Sequence, residues 1–221
     1  MDTKELCARY RKLYMPAVCD ALYHLGLDEQ VLPTRLRPLF PEQKMVGRAV
    51  TVQGQAIEPR LGWEAGIARI RSYLKVFENL PADSVIVSVN PNSHVGHFGE
   101  LTGNSAQVRG CAGVILDGNL RDIQGLREIG FQVFYRDLSP LNAIGRWEMV
   151  ATQVPVKIGT VTIHPGDVIF AEFDGVLVIP GNQAEKVLLK AEEIFGAEKL
   201  VREDMREGVP PLTGLERHGY I

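Results

Sequence analysis

Residues 95–122 read VGHFGELTGNSAQVRGCAGVILDGNLRD, and the order of elements in this stretch decides the fold class. Gly99 to Arg109 suits a helix of small residues, entered at Gly99-Glu100. Val114-Ile115-Leu116 is a short apolar run and predicts a strand. Asp122 to Ile129 suits a second helix, stopped at Gly130. Helix, strand and helix in close succession predict an α/β unit. Glu100 and the Arg121-Asp122 pair fall at element ends, 21 residues apart. Loops at element ends are where a rigid scaffold presents its reactive groups.

Upstream, Ser84–Val89 (SVIVSV) predicts a buried strand, Leu61–Phe77 a helix and Val46–Gln55 an alternating strand. Residues 27–45, rich in Pro and charge, predict an irregular arm. Residues 3–26 predict an N-terminal helical arm, with Pro16 opening a second helix there. Downstream, Gln132–Tyr135 predicts a strand. Short strands follow at Val154–Ile158, Thr160–Ile163, Val168–Glu172 and Val176–Ile179. His164-Pro165-Gly166-Asp167 and Asp174-Gly175 supply the turns between them. A long C-terminal helix is expected from about Gln183 to Arg206, and the tail 208–221 as an extended arm lying on a neighbour. Strands alternating with helices, then consecutive strands with tight turns, imply a mixed sheet rather than a plain doubly wound one.

The 221 residues fit one domain, with 45% hydrophobic and 23% charged residues. A net charge of −3 gives no expectation of a nucleic-acid partner. No apolar stretch is long enough for a membrane span. The opening MDTKELCARYRKLYM lacks the apolar core of a signal peptide. Cys7, Cys19 and Cys111 lack metal-site spacing and suggest a reducing, cytoplasmic setting.

Two readings of Asp122 stand side by side. Asp is a favoured helix N-cap. A carboxylate at a strand end also suits a hard cation, since Mg²⁺ commonly takes one or two protein carboxylates and fills its shell with water. The neighbouring Arg121 offers a planar fork for a substrate carboxylate. Amides between Gly99 and Gly103 could meet the same anion at a helix entrance. Cation, arginine and amides together would make a site for a small 2-oxo acid.

The stretch GHFGELTGNSAQVRGCAGVILDGNLRD resembles the RraA-like family of 4-hydroxy-4-methyl-2-oxoglutarate aldolases and regulators of ribonuclease E activity A. The resemblance continues through Val154-Pro155-Val156, His164-Pro165-Gly166-Asp167-Val168 and Asp174 to Pro180, and covers about residues 17–205. Val18-Cys19-Asp20-Ala21-Leu22 is similar to the family's first helix. It implies a swivelling β/β/α-type domain in a homotrimer or homohexamer, with sites between subunits. By motif position Asp122 resembles the direct metal ligand, with Mg²⁺ or Mn²⁺ as the implied ion. Arg121 resembles the arginine that binds the pyruvyl unit, and Glu100 the acid that holds the metal's water shell. The amides of Leu101, Thr102 and Gly103 would bind the substrate carboxylate.

The implied reaction is retro-aldol cleavage of a 4-hydroxy-2-oxo acid, with oxaloacetate decarboxylation as a related activity. Both break a C3–C4 bond and leave a pyruvate enolate, a charge that a divalent ion can stabilise. The family also implies an acid from the C-terminal helix of an adjoining subunit. Glu198 is the candidate, with Glu192 and Glu193 competing. The chain departs from the pattern at Gly125, where family aldolases usually carry an acid. The family's other activity, a non-catalytic regulator of a ribonuclease complex, is the alternative.

Other residues carry blander expectations. His94 and His97, three apart before Glu100, could serve as acid/base groups or metal ligands, but a loop pair in reach of solvent is more often neither, and His164 is taken as part of a turn. Asp117 and Asp174 are taken as turn residues, and Trp63 and Trp147 as core or interface packing. Most acids of the 183–206 helix are taken as a solvated face.

Overall fold

Two short helices open the chain, α1 (Thr3–Tyr10) and α2 (Met15–His24), as Pro16 predicted. Asp2 caps α1, its carboxylate accepting from the Glu5 amide at 2.8 Å. The irregular arm follows and contains only β1 (Arg37–Pro38) and a single bridge from Val31 to Leu177. Next come β2 (Met45–Ala56), α3 (Trp63–Val76) with a 3₁₀ turn at Phe77–Asn79, and β3 (Ser84–Val89). The quoted stretch folds as β4 (Gly96–Phe98), α4 (Glu100–Val108), β5 (Gly113–Leu120) and α5 (Ile123–Glu128). Five strands follow: β6 (Val133–Leu138), β7 (Trp147–Thr152), β8 (Val156–Ile158), β9 (Val161–Ile163) and β10 (Val168–Glu172). The chain ends with β11 (Gly175–Ile179), α6 (Ala184–Arg206) and α7 (Pro211–His218). This computed structural model describes residues 1–90 and 93–220.

The main sheet runs in the order β1-β6-β5-β3-β2-β10-β11, with β4 added to β5 and β7 to β2. Strands β2, β3, β5 and β6 are mutually parallel, whereas β10 runs antiparallel to both β2 and β11. The sheet is therefore mixed, as expected. No helix is long and apolar enough to cross a membrane among the described residues.

Strand alternation sorts the core. Ile86, Val114 and Leu116 point to a layer shared with α3, α4 and α5. Their neighbours Val85, Val87 and Ile115 point to the other face, under the β8–β9 ribbon. Successive strand side chains alternate faces, so a strand that is apolar throughout needs cover on both sides. A third cluster packs α1, α2 and α6 on Val46, Phe170 and Leu177. Tyr10 ties α1 to this cluster by donating its hydroxyl to the Ala184 carbonyl at 2.7 Å.

Three expectations are corrected. The tail is not an extended arm: α7 folds back on α6 of its own chain. Asp204 of α6 accepts from Arg217 at 3.0 Å and pairs with His218 at 3.1 Å, and Tyr220 meets Lys190 at 2.9 Å. The two prolines start this helix, because Pro suits a first turn; Ile221 lies outside the described residues. Strand β5 runs four residues beyond Leu116, so Asp117 is no turn residue. It is buried inside the strand and paired with Arg35 and Arg136 at 3.2 and 3.1 Å. Trp147 is fully buried, as core packing expects, and Trp63 is 63% exposed in the single chain, which leaves its interface reading open. His97 is on a buried strand and out of reach of solvent.

Candidate active site

The Arg121-Asp122 pair emerges at the carboxyl end of β5, where open parallel sheets usually present their sites. Strand β4 pairs with this end of β5, matching Phe98 to Leu120, and the Arg121 amide donates to the Phe98 carbonyl at 3.1 Å. The register thus sets the entrance of α4 beside the entrance of α5.

Asp122 stands in the N-cap position of α5 but does not cap it. Its backbone is left-handed, with φ 56° and ψ 40°, and its carboxylate makes no bond to the helix amides. The capping reading therefore fails. Arg121 Nε instead donates to both Asp122 oxygens at 3.2 Å. The terminal guanidinium nitrogens of Arg121 make no hydrogen bond among the described residues. Two glycines make room for the pair. A Cβ at Gly99 would collide with Asp122 Oδ2, and one at Gly96 would stand 2.8 Å from Arg121 Cβ.

Helix α4 begins at Glu100, and Gly99 has no side chain to cap it. The first amides of a helix lack intrahelical acceptors. Thr102 Oγ1 accepts from the Gly99 amide at 3.2 Å and donates to its carbonyl at 2.9 Å. The Gly103 amide already donates to the Gly99 carbonyl at 2.9 Å, so Leu101 and Thr102 are the amides of this turn better placed for an anion. The Glu100 carboxylate accepts from Asn104, one turn along. Its stem lies over Gly125, where a Cβ would sit 2.6 Å from Glu100 Cγ.

Arg121, Asp122, Gly99, Leu101 and Thr102 line a cleft of about 230 Å³, facing Ile70, Tyr73 and Leu74 of α3 and the 142–144 loop. Beneath it lies His97, stacked on Trp147 with ring centroids 4.4 Å apart. His97 Nε2 pairs with Ser88 Oγ at 2.8 Å and Nδ1 with Asn90 Nδ2 at 3.4 Å. Burial pushes its pKa down to about 3, so the ring is neutral. The hydroxyl of Tyr73 is buried without a hydrogen-bond partner among the described residues. His94 is exposed and does not line the cleft.

Glu198 is not brought to this cleft. It is buried on α6 and accepts from Arg202 at 3.2 Å, while Arg202 also donates to the Tyr14 hydroxyl at 3.0 Å. Glu192 is held by Arg9, and Glu193 is exposed beside Lys190. A larger concavity of about 890 Å³ lies at the opposite end of the parallel strands, around Arg48 and Asp167. Those charges are already engaged: Arg48 donates to the Gly166 carbonyl at 2.9 Å, and Asp167 accepts from the His164 and Gly181 amides.

The donor set suits a hard cation that keeps most of its water. Among the described residues no three His, Cys, Asp or Glu side chains cluster at ligand distance. Asp122 offers one uncapped, partly exposed carboxylate, and Mg²⁺ is commonly bound through one or two.

A family model described as "RraA-like: Aldolase/RraA" matches residues 15–178. The chain belongs to the RraA-like family. A relative from Halalkalibacterium halodurans, named "Putative 4-hydroxy-4-methyl-2-oxoglutarate aldolase", is 29% identical over 189 residues, covering 86% of this chain and 83% of the relative. Protein DlpA of Legionella pneumophila is 28% identical over 193 residues, 86% of this chain, and the match spans only 30% of that longer protein. Among solved structures, an uncharacterized protein from Pseudomonas syringae pv. tomato superposes with a TM-score of 0.85 at 27% identity, covering 98% of this chain and 95% of the other. RraAS2 of Streptomyces coelicolor, a member of the RNase ES inhibitor RraA family, shares the fold with a TM-score of 0.77 at 24% identity, covering 90% and 96%. The RraA-like family thus includes proteins named as aldolases and proteins named as inhibitors. Sequence reading missed the α3 face and the 142–144 loop of this RraA-like cleft; neither carries a motif.

Proposed function

We propose that this RraA-like protein is a divalent-metal-dependent lyase that cleaves a 4-hydroxy-2-oxo acid to pyruvate, with oxaloacetate decarboxylation as a side activity. The observation that carries the reading is the uncapped Asp122 carboxylate, held beside Arg121 in a left-handed backbone and facing the open end of α4. A carboxylate with no structural bond to its helix is available to a ligand.

The chain's own groups divide the work. Asp122 would hold Mg²⁺ or Mn²⁺, and Glu100, steadied by Asn104, would orient its water. The ion supplies Lewis-acid stabilisation of the charge that develops on the 2-oxo group. Arg121 turns its terminal nitrogens to the pyruvyl unit in the bidentate manner that lysine cannot copy. The amides of Leu101 and Thr102, with the dipole of α4 behind them, receive the substrate carboxylate. Gly103, whose amide closes the first turn, lets α4 approach Leu126, since a Cβ there would stand 2.7 Å from Leu126 Cδ2.

Two carboxylates are few for firm metal binding, since ligand charge tunes affinity. An acid from the C-terminal helix of a neighbouring subunit, Glu198 in the first instance, would add the missing charge in a trimer or a dimer of trimers. Leu101, an apolar side chain 79% exposed at the mouth of the cleft, supports such an assembly. The test is an assay of metal-stripped protein with oxaloacetate and 4-hydroxy-4-methyl-2-oxoglutarate. Pyruvate release should appear only after Mg²⁺ or Mn²⁺ is restored. A folded, metal-replete protein that releases none would leave the non-catalytic regulator as the better reading.

A further inference from the structure

Arg121 and Asp122 occupy each other. Both side chains lie over the bare face of Gly99, where an added Cβ would collide with Asp122 Oδ2 and stand 3.1 Å from Arg121 Cγ. Arg121 Nε lies 3.2 Å from each Asp122 oxygen, so its N–H points between the two. These are the only hydrogen bonds of the Asp122 carboxylate among the described residues, since it makes none to the amides of α5. The space between the two oxygens is also where a cation would meet both. We propose that a divalent ion and Arg121 compete for the Asp122 carboxylate, and that loading of the ion is what releases the arginine to the acid. This rests on the lyase reading above.

Charge and exposure favour an exchange of partners. One N–H shared between two oxygens is a weaker hold than the pair of parallel bonds a guanidinium can make to a carboxylate. Each side chain is more than a third exposed, where an ion pair contributes little. A divalent ion brings twice the charge of a guanidinium to the same oxygens. Once the ion takes them, the arginine loses its counter-charge and is repelled by its replacement. A substrate carboxylate then becomes its partner. Before the ion arrives, the pair is neutral overall and offers an acid little attraction. Little of the chain has to move. An added Cβ at Gly96 would stand 2.8 Å from Arg121 Cβ and 3.0 Å from its Cγ, so the stem lies against the Gly96 backbone and only the guanidinium end is left to swing. Ion and acid then bind with positive coupling, and by linkage each strengthens the other by the same factor.

The test needs no turnover. Calorimetry compares Mg²⁺ binding, with no acid present, in the native protein and in Arg121→Gln. The variant should bind Mg²⁺ about tenfold more tightly, within the range usual for coupled sites. NMR of native protein carrying isotope-labelled arginine follows the Arg121 Nε–H, assigned by its absence from the variant. Its exchange with water should quicken by about tenfold on saturation with Mg²⁺, as the bond to Asp122 is given up. Tighter binding by the variant with an unchanged Nε–H in the native protein would make Arg121 only a nearby positive charge and overturn the inference. Equal or weaker Mg²⁺ binding by the variant would overturn it too. Mg²⁺ binding to neither protein would reject both the competition and the metal role of Asp122. Pyruvate release from oxaloacetate by the Mg²⁺-loaded native protein is scored apart. Competition without turnover upholds the inference and drops the lyase reading, and turnover without competition does the reverse.

Discussion

Glu100 and Gly125 occupy one another's space. The α-carbon of Gly125 faces the Glu100 stem so closely that a Cβ there would stand 2.6 Å from Cγ and 2.8 Å from Cβ of Glu100. The glycine at this helix position is thus matched to the glutamate across from it. Placing Glu at position 125 alone should displace Glu100 and weaken Mg²⁺ binding. Pairing Gly125→Glu with Glu100→Ala removes the collision. The double variant should then bind Mg²⁺ more tightly than Glu100→Ala alone, as measured by calorimetry. No difference between those two proteins would mean that position 125 does not face the ion.

Asp122→Asn removes the charge and keeps a residue that tolerates the left-handed backbone. No cap is lost, because none exists. The melting temperature should stay within a few degrees, as surface changes are usually worth within about 0.5 kcal/mol. Metal-dependent pyruvate release should fall more than about a hundredfold. Full activity in the folded variant would remove Asp122 from the metal site.

Arg121→Lys keeps the charge and loses the fork. A drop in kcat/KM of roughly ten- to a hundredfold is expected, from the loss of one charge-assisted bond. The Gly96 gap fits the stem of either residue, so the fold should be unaffected. An unchanged kcat/KM on 2-oxo acids would make Arg121 a partner of Asp122 alone.

His97 makes stability depend on pH in a defined direction. Burial lowers its pKa from 6.5 to about 3, so between those values the unfolded chain binds one more proton than the folded one. Its contribution is fully present above pH 6.5 and is lost as pH falls towards 3. The slope from this one group is at most about 1.4 kcal/mol per pH unit. Melting temperatures between pH 7.5 and pH 4.5 should therefore fall more steeply for the native protein than for His97→Phe. Parallel profiles would show that His97 becomes charged in the fold.

Glu198 separates a shared site from a structural pair. Within its own chain it meets Arg202, which also bonds the Tyr14 hydroxyl and lies 5.0 Å from the Tyr14 ring centre. Under the shared-site proposal, rings of Glu198→Gln are inactive, and mixing them with Asp122→Asn rings restores part of the activity once subunits exchange. Light scattering checks the assembly, and a monomer with full activity would reject it. A lower melting temperature with full activity would leave Glu198 only its bond to Arg202.

What was legible in advance follows from the physics of each segment. Ser84–Val89 and Val168–Glu172 match their strands residue for residue. Short runs rich in apolar and β-branched residues, bounded by turn signals, leave few alternatives. Strand β5 was read too short because Gly118-Asn119 looks like a turn. In the sheet Gly118 serves close approach, since a Cβ there would lie 3.3 Å from both Asn90 and His97. Strands β4 and β7 gave no local signal, because their pairing with β5 and β2 is a property of the sheet order. At the cleft, glycine spacing and charge marked Arg121 and Asp122, whereas Glu100, marked in the same way, turns to Asn104 and Gly125 and does not line it. The left-handed turn at Asp122 had no such mark, nor did the meeting of α3 with the 142–144 loop. Both depend on contacts between residues far apart in the chain.

The backbone at Asp122 also bears on how such a chain changes over generations. Of the ordinary residues, only Gly, Asn and Asp adopt that conformation routinely. A codon for Asp becomes one for Asn or Gly through a single base change. Either change would delete the carboxylate and leave all three hydrophobic clusters untouched. Loss of the proposed chemistry then lies one mutation from an intact fold, whereas loss of the fold requires damage to a core. A lineage can shed the reaction in one step and still inherit a sound scaffold for selection to turn to another use.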